Sequence, residues 1–138
     1  MQLSPSYDNV VSDVREFLSE RIEAAENEGI VKSRIMLDPG FGFGKLQMHN
    51  LELLNQLAVF SQLGCPVLVG LSRKAFLGKL LDRPVTEREW GTAAAVALAV
   101  DRGAAIIRVH DVAGMRDVVR VAAAVRAASI TAKQEGYA

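Results

Sequence analysis

Cysteine, net charge and long apolar runs are what this 138-residue chain has least of. The single cysteine, Cys65, excludes an internal disulfide and suits a reducing cytoplasm. It falls between a helix end and a strand, where a small thiol is expected to be buried and inert. Sixteen Lys and Arg balance sixteen Asp and Glu, so no charge excess points to nucleic acid or an anionic membrane. No apolar stretch approaches the roughly 18–20 residues of a membrane span. The opening Met1-Gln2-Leu3-Ser4-Pro5-Ser6 lacks the basic-then-apolar pattern of a secretory signal. No linker or low-complexity tract divides the chain, so residues 1–138 read as one cytoplasmic domain, 50% hydrophobic and long enough to bury a core.

What is present is a set of three short apolar runs separated by helical patterns. The first is Ile35-Met36-Leu37, continuing into Asp38-Pro39-Gly40-Phe41-Gly42-Phe43-Gly44-Lys45. The second, Val67-Leu68-Val69-Gly70-Leu71, runs into Ser72-Arg73-Lys74, and the third, Ala105 to Val109, into His110-Asp111. Each reads as a buried parallel strand. A helix is expected over about 8–28, with Val10, Val14, Phe17 and Leu18 on one face and Gly29 as its stop. A second is expected from an Asn50 cap to just before Gly64, burying Leu53, Leu54, Leu57 and Phe60. Residues 74–81 read as a short helical turn. Thr86 and Glu89 fit a capping box for a helix to about Asp101, whose Ala93, Ala94, Ala95 and Ala97 suit close helix contact. A last helix from about Met115 carries Val118, Val119, Val121 and Val125 and is expected to fray over 132–136.

The runs recur about every 30–40 residues, the length of a strand–helix unit. Three units do not close a sheet, and an eight-stranded barrel takes roughly 250 residues. The fold is therefore α/β, either a small open sheet or the later part of a larger barrel.

In such a barrel, ligands sit where the carboxyl ends of the strands open out. Asp38 at that position can accept two parallel hydrogen bonds from the amino group and ring N–H of a guanine-like or pterin ring. Its plainer role is to cap the next loop or pair with a cation. Three alternate glycines free the 40–45 loop to present N–H groups to phosphate or a flat ring, and one of its phenylalanines can cover an aromatic ligand. The spacing is neither a dinucleotide fingerprint nor a P-loop. Alternation along a strand puts Ser72 and Lys74 on one face, with Arg73 opposite as a salt-bridge partner. Lys74 can hold a ring carbonyl and nitrogen, or simply be a solvated lysine. Arg108 and His110 share a face with Val109 opposite, which suits a diphosphate, unless local carboxylates such as Asp111 pair with them. His49, beside a helix cap, and Trp90, among alanines, read as packing or interface. No His/Cys/Asp/Glu spacing fits a protein metal site, and no Ser/His/Asp arrangement stands out.

Together, Leu37 to Lys45, Gly70 to Lys74 and Arg108 to Asp111 resemble the dihydropteroate synthases. The resemblance implies a TIM-type (β/α)8 barrel of folate biosynthesis. Such an enzyme joins p-aminobenzoate to 6-hydroxymethyl-7,8-dihydropterin diphosphate, releases diphosphate with Mg2+ present, and is inhibited by sulfonamides. It further implies that Asp38 binds the pyrimidine edge of the pterin and Lys74 its carbonyl and ring nitrogen. Gly70 would belong to the same substrate surface. Ser72 would meet the carboxylate end of p-aminobenzoate or a sulfonamide, Phe43 would line that pocket, and Arg108 and His110 would hold the diphosphate. Asp38 and Lys74 are the two expected to carry the chemistry.

The resemblance covers only the family's last three strands and the helix before them. The early segments, including the asparagine expected to meet metal and diphosphate, have no counterpart in this chain. The expectation is a carboxyl-terminal portion of the barrel that is inactive alone and self-associates through its cut edge or alanine-rich helix. The family's last helices also imply a homodimer. The alternatives are a non-catalytic pterin-binding module and a structural fragment whose pocket never forms.

Overall fold

Asn9 starts the first helix by accepting the backbone N–H groups of Val11 and Ser12 on its side-chain oxygen, at 3.1 and 3.0 Å. The computed structural model describes residues 6–134, apart from the side chains of 129–134; Glu135 and Gly136 of the expected frayed end lie outside them. Helix α1, Val10–Asn27, buries Val10, Val14, Leu18 and Ile22 at four-residue intervals, with Val11 beside them. It ends in a left-handed turn at Gly29, where Ile30 N–H reaches Ala25 O and Gly29 N–H reaches Glu26 O. Phe17 was expected on the buried face. It is exposed instead, and the Arg21 guanidinium lies 5.5 Å from its ring.

Helix α2, Gln47–Asn55, has its cap position at Leu46, four residues before the expected Asn50 cap. His49 Nδ1 accepts the Leu46 N–H at 3.2 Å, so Asn50 falls inside the first turn and is buried. The helix also does not run unbroken to Gly64. The Arg102 guanidinium donates to the Asn55 carbonyl, and tighter i→i+3 bonds carry the chain into α3, Ala58–Ser61. The expected face of Leu53, Leu54, Leu57 and Phe60 is buried across that break, beside the buried, free Cys65.

The three apolar runs form one parallel array. Leu37 N–H donates to Pro66 O and Leu68 N–H to Leu37 O, a single parallel bridge in place of a full first strand. Strand β1, Leu68–Val69, pairs in parallel with β2, Ile106–Ile107, in the register Leu68 with Ile106 and Val69 with Ile107. Between them lie α4, Ala75–Leu81, and α5, Glu89–Asp101. Thr86 does not cap α5. Arg88 occupies the boundary, tied by its guanidinium to the carbonyls of Arg83 and Arg73. Helix α6, Val112–Gln134, packs on α5, where Ala95 and Ala99 are buried; Ala94 is exposed. Val118 and Val119 are half-buried, and Val121 and Val125 are exposed. Among the described residues no helix is long and apolar enough to cross a membrane.

The core thus lies between α1, α2 and the inner side of the parallel array, and it leaves the carboxyl ends of the strands open. Leu57→Ala, which empties a fully buried site, is expected to lower the unfolding free energy by about 3 kcal/mol. It should appear as a lower urea midpoint at unchanged slope. Phe17→Ser, on the exposed side of α1, should change stability by no more than about 0.5 kcal/mol.

Candidate functional site

The strand register brings the second and third runs together. Arg108 N–H donates to Val69 O at 2.9 Å, which sets Arg108 beside Gly70. A Cβ on Gly70 would stand 2.8 Å from an Arg108 guanidinium nitrogen, so only hydrogen at this position lets the cation lie across the strand end. After β1 the chain leaves the strand geometry. Arg73 adopts a left-handed φ of 58°, and its N–H donates to Thr92 Oγ1 at 3.2 Å. Ser72 and Lys74 do end up on one side, but through this turn and not through strand alternation. Arg73 makes no side-chain ion pair among the described residues; its carbonyl accepts from Arg88.

Gly70, Ser72, Lys74, Arg108, Val109 and His110 line one cavity of about 440 Å³. Val109, expected to face away, is part of that lining. A larger hollow of about 750 Å³ between Leu81, Arg83, Glu87 and Trp90 has no such chemistry, since its Arg83 and Glu87 are paired to each other at 2.9 Å. Trp90, 87% exposed, stands at its rim.

Ser72 is buried, and its Oγ lies 2.8 Å from His110 Nδ1. The His110 backbone N–H donates to the same oxygen at 3.3 Å. Asp111 does not pair with His110; its carboxylate accepts the Gly114 N–H at the start of α6. Lys74 sits between charges of both signs. Burial pulls its ammonium below the ordinary lysine range, Arg108 lowers it further, and Asp38 acts against both. Lys45 is also lowered by burial, again opposed by Asp38.

Asp38 and Phe43 flank this cavity without lining it. Asp38 is exposed, and its Oδ1 accepts the Gly40 N–H at 2.8 Å, so it caps the loop as the plainer reading expects. Its Oδ2 accepts no hydrogen bond among the described residues. Of the two loop phenylalanines, Phe41 is buried in the core, while Phe43 is 55% exposed with its ring centroid 4.2 Å from Lys74 Nζ. No group of three or more His, Cys, Asp or Glu that can hold a metal ion forms among the described residues. The described residues therefore do not by themselves make a magnesium cage.

The sequence pattern of the pterin binding enzymes matches residues 1–110. The chain belongs to this family. It is 50% identical over 121 residues to the dihydropteroate synthase of Haemophilus influenzae, covering 88% of this chain and 44% of that protein. The dihydropteroate synthase of Yersinia pestis, solved as a sulfonamide drug complex, superposes with a TM-score of 0.89 at 42% identity, over 92% of this chain and 46% of that one. The Xanthomonas albilineans enzyme in complex with 7,8-dihydropteroate gives a TM-score of 0.87 at 49% identity, over 92% and 49%. The chain thus spans just under half the length of these relatives.

Three residues that the sequence did not single out as site residues hold the glycine loop in place. Tyr7 donates its hydroxyl to Gly44 O at 3.1 Å, and Lys45 Nζ donates to the carbonyls of Gly40 and Phe43 at 3.1 and 3.2 Å. Asn50 accepts the Gly42 N–H on Oδ1 and donates from Nδ2 to Leu46 O, where the loop enters α2. Only Asn50 carried a sequence signal, as a polar residue on an otherwise apolar helical face, and that signal also fits a cap.

The charges around Lys74 make a signed prediction. Asp38→Asn should lower the Lys74 titration point further, and Arg108→Gln should raise it, as followed by the NMR shift of the Lys74 ε-carbon through the alkaline range. Movement in the same direction in both variants would exclude this arrangement. The unfolded chain keeps the Lys74 proton to higher pH than the folded one. The cost of burying the ammonium is therefore fully present at neutral pH, and it disappears as pH rises from the folded toward the unfolded titration point.

Proposed function

We propose that residues 1–138 form the carboxyl-terminal part, the last three strands and their helices, of a dihydropteroate synthase (β/α)8 barrel. The whole protein would condense 6-hydroxymethyl-7,8-dihydropterin diphosphate with p-aminobenzoate in the cytoplasm, giving 7,8-dihydropteroate and diphosphate. One observation carries this reading: the cations of Lys74 and Arg108 and the imidazole of His110 converge on a single cavity at the strand ends. An anionic leaving group calls for such a wall. The kinship of the chain to enzymes solved with a sulfonamide and with 7,8-dihydropteroate supports the substrate class.

In this reaction a C–N bond forms between the arylamine nitrogen and the pterin methylene as the C–O bond to diphosphate breaks. The bonding pair leaves with the diphosphate, and the amine proton passes to solvent. A neutral aromatic amine needs mostly positioning and charge stabilisation, not a strong base. Arg108 and His110 hold the diphosphate. Lys74 holds the pterin carbonyl and ring nitrogen and borders the amine pocket, which Phe43 and Gly70 help to shape. Asp38 keeps Oδ2 and a lone pair on Oδ1 for the pyrimidine edge. Ser72 faces the carboxylate of p-aminobenzoate or the corresponding end of a sulfonamide. Magnesium belongs to the reaction of the whole protein, as does a homodimer.

The chain alone is expected to lack synthase activity, since the early strands that close the barrel contribute the remaining contacts. It is expected to self-associate, because Met36 and Ile106, beside the two flanks of the parallel array, are exposed. Light scattering at micromolar concentration checks the second point, and a monodisperse, fully active monomer would overturn both.

Calorimetric titration of the purified chain with a pterin diphosphate analogue tests the site itself. Saturable binding is expected, lost in Asp38→Asn and weakened about tenfold in Gly70→Ala, a loss of roughly 1.4 kcal/mol from displacing Arg108. A folded chain that binds no analogue would remove the preformed site from this reading.

A further inference from the structure

We propose that Asn50 is a positioning residue of the site: its side-chain amide fixes the glycine loop so that Phe43 lies over Lys74. Asn50 is 1% exposed in the first turn of α2. Its Oδ1 accepts the Gly42 N–H and its Nδ2 donates to Leu46 O, both at 2.7 Å. One end of a buried amide is therefore spent on the loop and the other on the carbonyl at the start of its own helix, so α2 sets where that loop stands.

The loop needs such a hold. Gly40, Gly42 and Gly44 all have positive φ, at 73°, 81° and 55°, a region in which glycine backbone has little preference of its own. Tyr7 and Lys45 bind only its carbonyls, from the loop's outer side or from within the loop itself. Asn50 takes one of its N–H groups, next to the residue that matters. A Cβ on Gly42 would be 3.0 Å from Lys74 Cδ, so the Gly42 backbone lies against the lysine stem. The next residue, Phe43, brings its ring to 4.2 Å from the ammonium. The path from α2 to the cavity is thus Asn50, Gly42, Phe43, Lys74, and its first link is a 2.7 Å hydrogen bond anchored on a buried side chain.

The value of this placement to a ligand rests on the reading of the site given above; the placement itself does not. The test therefore uses no ligand. In the folded chain the Phe43 ring should shift the Lys74 ε-methylene protons upfield of those of Lys79, and Phe43→Ala should abolish the difference. Asn50→Leu should abolish it too, with the core methyl resonances of Leu53 and Leu57 unmoved. Asn50→Asp, which keeps an acceptor for Gly42, should retain part of it. An Asn50→Leu chain that is folded and keeps the full upfield shift would overturn the proposal. Should that variant fail to fold, hydrogen exchange in the unsubstituted chain decides. The Gly42 amide should exchange at least about tenfold more slowly than an unstructured amide, and exchange at the free rate would overturn the proposal. Failure of the chain to bind a pterin analogue would count against the functional reading alone.

Discussion

The site depends on a few backbone hydrogen bonds that run across the chain from Leu37 through Pro66 and Leu68, and from Val67 and Val69 to Ile106 and Arg108. These fix three chain segments in one parallel register, and with them the level at which each segment stops being a strand. A shift of one residue would turn Gly70 away from Arg108 and carry the cation off the cavity. The register is specified because Leu37, Val67, Val69 and Leu71 are all buried on the helix-covered side, each contributing about 1.5–3 kcal/mol of apolar burial. The hydrophobic core and the cationic wall are consequences of the same pairing.

That wall is costly to build without an anion. Lys74 is partly desolvated beside Arg108, and the carboxylate acting on it among the described residues is Asp38, which stands outside the cavity and is itself engaged with Gly40. Charges left in this relation favour any ligand that brings negative charge to Lys74 and Arg108 together. The aromatic face of Phe43 offsets part of the cost on the other side of the ammonium.

Much of this was legible in the sequence, because short apolar runs ending in Asp38, Ser72-Arg73-Lys74 and Arg108-Val109-His110 report both strand and strand end. The buried faces of α1 and of α2 with α3 followed from spacing alone, except at Phe17, which stands one position off the stripe of Val10, Val14 and Leu18 and is exposed. Caps were less legible. Asn9 takes up two N–H groups of α1, whereas Asn50 and Thr86, which have the right chemistry, do not cap. In each of those cases another side chain settles the matter: His49, three residues on, receives the Leu46 N–H, and Arg88 is tied back to Arg73 and Arg83. Such bonds have no periodic signature. The same holds for Val109, since the strand rule that predicts its side applies only while the chain remains a strand, and β2 ends at Ile107.

The contact between Ser72 and His110 ties the two halves of the cavity by donor and acceptor count. A hydroxyl has one proton to give and can accept twice. With a neutral imidazole whose Nδ1 accepts, Oγ receives the His110 backbone N–H and spends its only proton on Nδ1. The ring proton then sits on Nε2. With an imidazolium, Nδ1–H becomes a donor, Oγ accepts from both His110 groups, and the hydroxyl proton is released to a third partner. In that arrangement, as with a neutral ring protonated at Nδ1, the hydroxyl proton is free for another acceptor. Because the two residues are 38 positions apart and meet only through the β1–β2 register, this exchange is a property of the paired strands and of neither segment alone.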